Sequence, residues 1–162
     1  MSGVAGSIPY APPETINDNY KAGYYKTSYD IWSMACIMLE IIQYYRGGSI
    51  AVKAFREQRL NETPSPQPRT AQFWKVEAGR ELRLKPSVDA VLNWLSKSLI
   101  KADTQMGLLL TKMLNVSPGN RPTALECYQE LQKMLLVEEV THNNKYRWKS
   151  SMLVCYLNHL PR

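Results

Sequence analysis

Residues 27–45 read Thr-Ser-Tyr-Asp-Ile-Trp-Ser-Met-Ala-Cys-Ile-Met-Leu-Glu-Ile-Ile-Gln-Tyr-Tyr, and this stretch decides the fold. From Ile31 to Ile42 only Ser33 and Glu40 are polar. A run of about 12 residues exceeds an ordinary strand and falls short of a bilayer span. Ile31, Met34, Ala35, Met38, Leu39 and Ile42 recur at helical spacing, and Trp32, Cys36, Ile37 and Ile41 occupy the other faces. A helix apolar nearly all round needs neighbours on every side, so the reading is a central, buried helix. Thr27 with Asp30 three residues on reads as a variant capping box that sets its start, and Gly47-Gly48 end it.

Beyond the glycines, Ile50, Ala51, Ala54, Phe55 and Leu60 predict a short helix over 50–60. Residues 61–70 hold Pro64, Pro66 and Pro68 among polar residues and predict an irregular loop. Within it, Thr63-Pro64 and Ser65-Pro66 are dipeptides that invite proline-directed phosphorylation. Residues 71–86 mix Phe73, Trp74 and Val76 with charges, and the pattern assigns them no element. Val88, Val91, Leu92, Leu95 and Leu99 predict a helix over 87–99. Asp103 or Thr104 starts the next, with Met106, Leu109, Leu110, Met113 and Leu114 apolar, and Leu125, Tyr128, Leu131, Leu135 and Leu136 predict a final amphipathic helix over 123–140.

On the N-terminal side, Gly3, Gly6, Pro9, Pro12 and Pro13 predict an irregular, extended segment. Pro13 and Glu14 suit the first turn of a short helix, and residues 17–26 form a polar, tyrosine-rich loop. No clear strand, internal repeat or heptad seam is present. The expected fold is all-α, one compact bundle with long loops.

The chain has 162 residues, 44% of them hydrophobic, which allows one domain with a sizeable core. Its net charge of +6, from 20 Lys plus Arg against 14 Asp plus Glu, is modest and spread out, so nucleic-acid binding is not implied. The basic excess concentrates after Glu139, at Lys145, Arg147, Lys149 and Arg162. Lys145-Tyr146-Arg147-Trp148-Lys149 reads as an ordinary solvated tail, with phosphate or membrane contact as the sharper alternative. Cys36, Cys127 and Cys155 are odd in number and far apart, which makes neither a metal spacing nor a disulfide framework and points to a reducing compartment. His142 and His159 lack companions for a zinc site. There is no signal-peptide pattern and no transmembrane run, and the expected location is cytoplasmic or nuclear.

Three ordered motifs carry a resemblance. Tyr29 to Ile41 resembles the D-x-W-S-x-G-C-x-x-x-E pattern of eukaryotic-type protein kinases, with Ala35 where the family has Gly. Gly6-Ser7-Ile8-Pro9-Tyr10-Ala11-Pro12-Pro13-Glu14 is similar to G-T-x-x-Y-x-A-P-E, which closes the activation segment, with Pro12 in place of Ala. Pro118-Gly119-Asn120-Arg121-Pro122-Thr123-Ala124 resembles P-x-x-R-P-T-A. The order and separations are those of the family's C-terminal lobe, so the resemblance implies a truncated C-lobe over 1–140 followed by a basic and apolar tail over 141–162.

The resemblance assigns roles residue by residue. Glu14 and Arg121 match the family's structural ion pair, and a guanidinium suits a carboxylate through planar, two-pronged geometry. Gly6, Ser7 and Tyr10 match the segment that receives the substrate, and a hydroxyl at Ser7 is the serine/threonine pattern. Asp30 and Trp32 match anchors of the central helix; Asp30 in the family holds the catalytic-loop backbone, and a helix cap accounts for it equally well.

Phosphoryl transfer needs a phosphate-cradling loop, a lysine on the phosphates, metal-binding acids and a base for the acceptor hydroxyl. The family supplies them with a Gly-rich loop, a strand lysine, H-R-D-x-x-x-x-N and D-F-G. None of these occurs in the 162 residues. The expectation is therefore a pseudokinase-like chain with no catalytic residue, no metal and no cofactor of its own, ATP and Mg being implied for the complete family domain. In the family a further helix covers one side of the central helix. Here either the tail, through Trp148, Met152, Leu153, Val154, Tyr156, Leu157 and Leu160, covers that side, or the patch stays open to a protein partner. Three readings follow: a catalytically inactive C-lobe or binding module, a portion of an active kinase, or an unrelated helical adaptor.

Overall fold

The computed structural model describes residues 8–16, 27–63 and 69–141, with side chains to residue 135. Gly6, Ser7, the loop 17–26, the proline run 64–68 and the tail 142–162 lie outside the described residues.

The first helix, α1 (Thr27–Asn61), consists of two arms that meet at Gly47 and Gly48, whose backbones leave helical geometry. Gly48 sits at φ 64°, ψ −157°, a conformation that only glycine reaches without strain. The expected stop at these glycines is thus a bend, and the second arm begins at once. Ile31, Trp32, Ala35, Cys36, Met38, Leu39 and Ile42 of the first arm are buried. Met34 and Ile37 are not; they are 37% and 45% exposed, with Tyr44 and Tyr45 exposed beyond them. The expectation of a helix enclosed all round is corrected here. Residues 34, 37, 41 and 44 share one helical face, and the described elements pack on the opposite one. From the second arm Phe55 and Arg59 face the core, while Ile50 and Ala54 face solvent.

Residues 71–86, to which the pattern gave no element, form a small antiparallel hairpin of β1 (Trp74–Val76) and β2 (Leu82–Leu84). Trp74 stands opposite Leu84 and Val76 opposite Leu82. Three-residue strands are too short to display a period of two, which hid them in the sequence. A lone hairpin is marginal in water; this one is pinned because Phe73 and Trp74 are buried in the main core. Its turn places Gly79 at φ 82° and Arg80 at φ 66°.

Helix α2 (Pro86–Ser96) starts with proline in its first turn. The Glu62 carboxylate accepts the Ser87 amide at 2.9 Å and its hydroxyl at 2.7 Å, satisfying a donor at that end. The helix stops at Ser96, so Leu99, expected on its apolar face, is fully exposed. Helix α3 (Lys101–Met113) crosses α2 at Gly107, where an added Cβ would lie 2.8 Å from Leu95 Cβ. Helix α4 (Ala124–Thr141) opens with a reciprocal cap: Glu126 accepts the Thr123 amide at 2.7 Å, and Thr123 Oγ1 accepts the Glu126 amide at 3.2 Å. Among its described side chains Cys127, Leu131 and Met134 are buried, while Leu125 and Tyr128 are exposed. Both sets have helical spacing, and contact with α3 selects the first. The fold is all-α in class, with one core shared by α1, the hairpin and α2–α4. Among the described residues no helix is long and apolar enough to cross a membrane.

Candidate functional site

Pro13–Ile16 forms a single tight turn that holds Glu14 inward. Thr15 closes it, its amide and hydroxyl both donating to the Pro12 carbonyl. On the far side of the chain, Pro118–Asn120 turns Arg121 toward the same point. Arg121 Nη1 and Nη2 each donate to one Glu14 oxygen at 2.7 Å. Arg121 Nη1 also reaches the Ser28 carbonyl at 3.0 Å, and Nε the Asn115 carbonyl at 2.8 Å. Both partners are buried, and the guanidinium lies 4.9 Å from the centre of the fully buried Trp32 ring. Glu14, Arg121 and Trp32 are therefore one cluster, in which Arg121 joins two residues that precede it by about a hundred positions. Asp30 does not join it. That side chain is exposed and makes no hydrogen bond to another described residue, so a capping bond with Thr27 is absent among the described residues.

The cluster fixes the short segment that leads into Glu14. Ser33 Oγ donates to the Tyr10 carbonyl at 3.1 Å, and Trp74 Nε1 donates to the Ala11 carbonyl at 2.8 Å. The half-buried Tyr10 hydroxyl donates to Glu40 Oε2 at 2.8 Å, and burial together with that carboxylate raises its pKa above the ordinary 10. Glu40 Oε1 in turn receives Arg59 Nη2 at 2.6 Å. Arg59 is buried between Phe55 and Phe73, its charge 4.2 and 4.0 Å from the two ring centres, and its Nε donates to the Ala71 carbonyl. Burial lowers its pKa and the Glu40 carboxylate opposes that shift. Desolvated cation–ring contacts and an ion pair compensate the buried charge.

Lys85 is a third buried cation, after Arg121 and Arg59. Its ammonium donates to the Arg59 carbonyl at 2.7 Å, Thr63 Oγ1 at 3.1 Å and the Thr70 carbonyl at 2.7 Å. Burial pushes its pKa down to about 8, with Glu62 acting in the opposite direction. Glu40, Arg59, Lys85 and Trp74 had no role in the sequence reading. The signal lay at Glu40, one of two polar positions in an apolar run and the last residue of the D-x-W-S-x-G-C-x-x-x-E match; Arg59 and Lys85 look like ordinary surface charges until the chain folds. Cys36 is fully buried and its thiol pKa is pushed well above 9, so it is a core residue. Among the described residues no group of His, Cys, Asp and Glu could hold a metal ion. What the arrangement does is positional: contacts from Ser33 and Glu40 of α1, Trp74 of the hairpin and Arg121 hold residues 10–14 in place.

The chain matches the protein kinase domain over residues 1–132 and belongs to that family. It is similar to cyclin-dependent kinase 1 of Encephalitozoon cuniculi (strain GB-M1), with 30% identity over 119 residues, 71% of this chain and 37% of that relative. The chain thus spans well under two thirds of the curated relative it matches. No solved structure gives a significant match.

Proposed function

We propose that this chain is the substrate-segment scaffold of a serine/threonine protein kinase, a C-lobe over 1–140, and that alone it transfers no phosphate. The buried, two-pronged Glu14–Arg121 pair carries this reading, because it fixes the segment containing Tyr10, with Gly6 and Ser7 just before it, against α1. The supports for inactivity are chemical. Its 162 residues contain no phosphate-cradling loop, no H-R-D-x-x-x-x-N and no D-F-G, so ATP and Mg would be bound by a complete domain. Unpaired, buried Cys36 and Cys127 accord with a reducing, cytoplasmic or nuclear setting. The test is to incubate the 162-residue chain with Mg-ATP and a serine/threonine peptide pool. No labelled peptide and no ATP-induced rise in the unfolding midpoint are expected; ATP-dependent labelling by the purified chain would overturn the reading.

A non-catalytic binding module is the second reading, and the exposed Met34 and Ile37 favour it. A protein partner would cover this apolar face, with buried Trp32 fixing the helix that presents it.

A further inference from the structure

We propose that Thr63 is a phosphorylation site whose phosphate is received by Lys85 and Arg69, tightening the contact between Thr63 and Thr70. This goes beyond the kinase reading and does not depend on it. Thr63 is half-exposed, sits just past the end of α1, and precedes Pro64 in the sequence, the dipeptide that proline-directed kinases recognise. Its Oγ1 accepts the Lys85 ammonium at 3.1 Å and the Thr70 amide at 3.3 Å. The three Lys85 acceptors are all uncharged, so a buried cation faces this hydroxyl without a carboxylate bonded to it. Arg69 adjoins Thr70 in sequence, its guanidinium bonded to the Leu60 carbonyl and the Asn61 side chain, and is exposed. Glu62, whose charge acts on Lys85 from a distance, spends its carboxylate oxygens on the Ser87 amide and hydroxyl. Lys75 adds positive charge to the surroundings of Lys85.

In the transfer, Thr63 Oγ attacks the γ-phosphorus of a nucleoside triphosphate held by a separate proline-directed kinase. The Oγ–P bond forms as the bond from that phosphorus to the β,γ-bridging oxygen breaks; the nucleoside diphosphate leaves and the hydroxyl proton passes to that kinase's base. Oγ gives up its long donor contact to the Thr70 carbonyl, which Lys85 already serves. In exchange the contact gains a charge of about −1.5 to −2 and three acceptor oxygens beside two cations.

The full 162-residue chain is treated with a proline-directed serine/threonine kinase and Mg-ATP, and the modified residue is read by mass spectrometry. Trypsin cleavage after Arg69 is then timed in the native chain, Thr63→Val and Lys85→Met, and the phosphate is titrated by phosphorus NMR in the native chain. Phosphate on Thr63, cleavage slowed about tenfold by new charge-assisted bonds, no slowing in Thr63→Val and less in Lys85→Met are expected. The native phosphate should show a second ionisation below the ordinary value of about 6. Labelling at Ser65 alone, unchanged or faster cleavage, or an ionisation at or above the ordinary value overturns the proposal, and the NMR outcome holds even if Lys85→Met fails to fold.

Discussion

Arg121 shows what a single side chain can do when four of its five N–H donors are used. It ties Glu14, Ser28 and Asn115 together while covering the Trp32 ring. Arg121→Ala leaves the Glu14 carboxylate buried and uncompensated, so the expected loss is about 3–5 kcal/mol by chemical denaturation. An unchanged unfolding midpoint would remove the pair from the list of structural determinants. Arg121→Lys should recover only part of the loss, since one ammonium cannot bind both carboxylate oxygens in parallel. Lys85 gives a pH signature of defined sign. Its folded pKa of about 8 lies below the unfolded 10.5, so between these values the unfolded chain binds more protons and stability rises with pH. Relative to Lys85→Met, the native chain should gain about 2 kcal/mol between about pH 7.5 and about pH 9.5. Comparison with the variant is needed because the raised Cys36 pKa works the other way above 9. A parallel pH dependence in both proteins would refute it.

Helices meet here through small details at their ends and crossings. At the α2–α3 crossing, Gly107→Ala brings a methyl group to 2.8 Å from Leu95 Cβ and 3.2 Å from the Ser96 amide. Backbone cannot yield as a flexible side chain can, and the expected cost is about 1–3 kcal/mol in a urea titration. At the start of α4, Thr123→Ala breaks the reciprocal cap with Glu126 and should cost about 0.5–2 kcal/mol. The lower limit is the safer one, because both residues are exposed. Equal stability of either variant to the native chain would show that the crossing or the cap contributes nothing.

At the scale of the molecule, the notable feature is a core helix with one face that no described element covers. Met34 and Ile37 leave an apolar strip on the first arm of α1, while Ile31, Ala35, Met38 and Ile42 of that arm are buried. The double variant Met34→Lys, Ile37→Lys should lower the fluorescence of an apolar dye several-fold. Exposed substitutions of this kind shift stability by only about 0.5 kcal/mol, so the unfolding midpoint should hardly move. A large fall in midpoint would instead place these side chains in the core.

Local patterning in the sequence determined the helices and most of their approximate ends, while the pairing of Glu14 with Arg121 was implied only by the resemblance to the kinase family. The reason is that helical period, proline and glycine positions, and three ordered motifs are written in neighbouring residues. Tertiary structure alone decided which of two equally periodic stripes faces inward on α1 and α4, because only the positions of neighbouring elements distinguish them. It also decided the hairpin, whose strands are too short to show a period and exist because Phe73 and Trp74 are buried. The same holds for the Tyr10–Glu40–Arg59 chain and the Lys85 cradle. Their members lie far apart in sequence, and a charged residue gives no sign of burial until the carbonyls, rings and carboxylate that compensate it are brought to it.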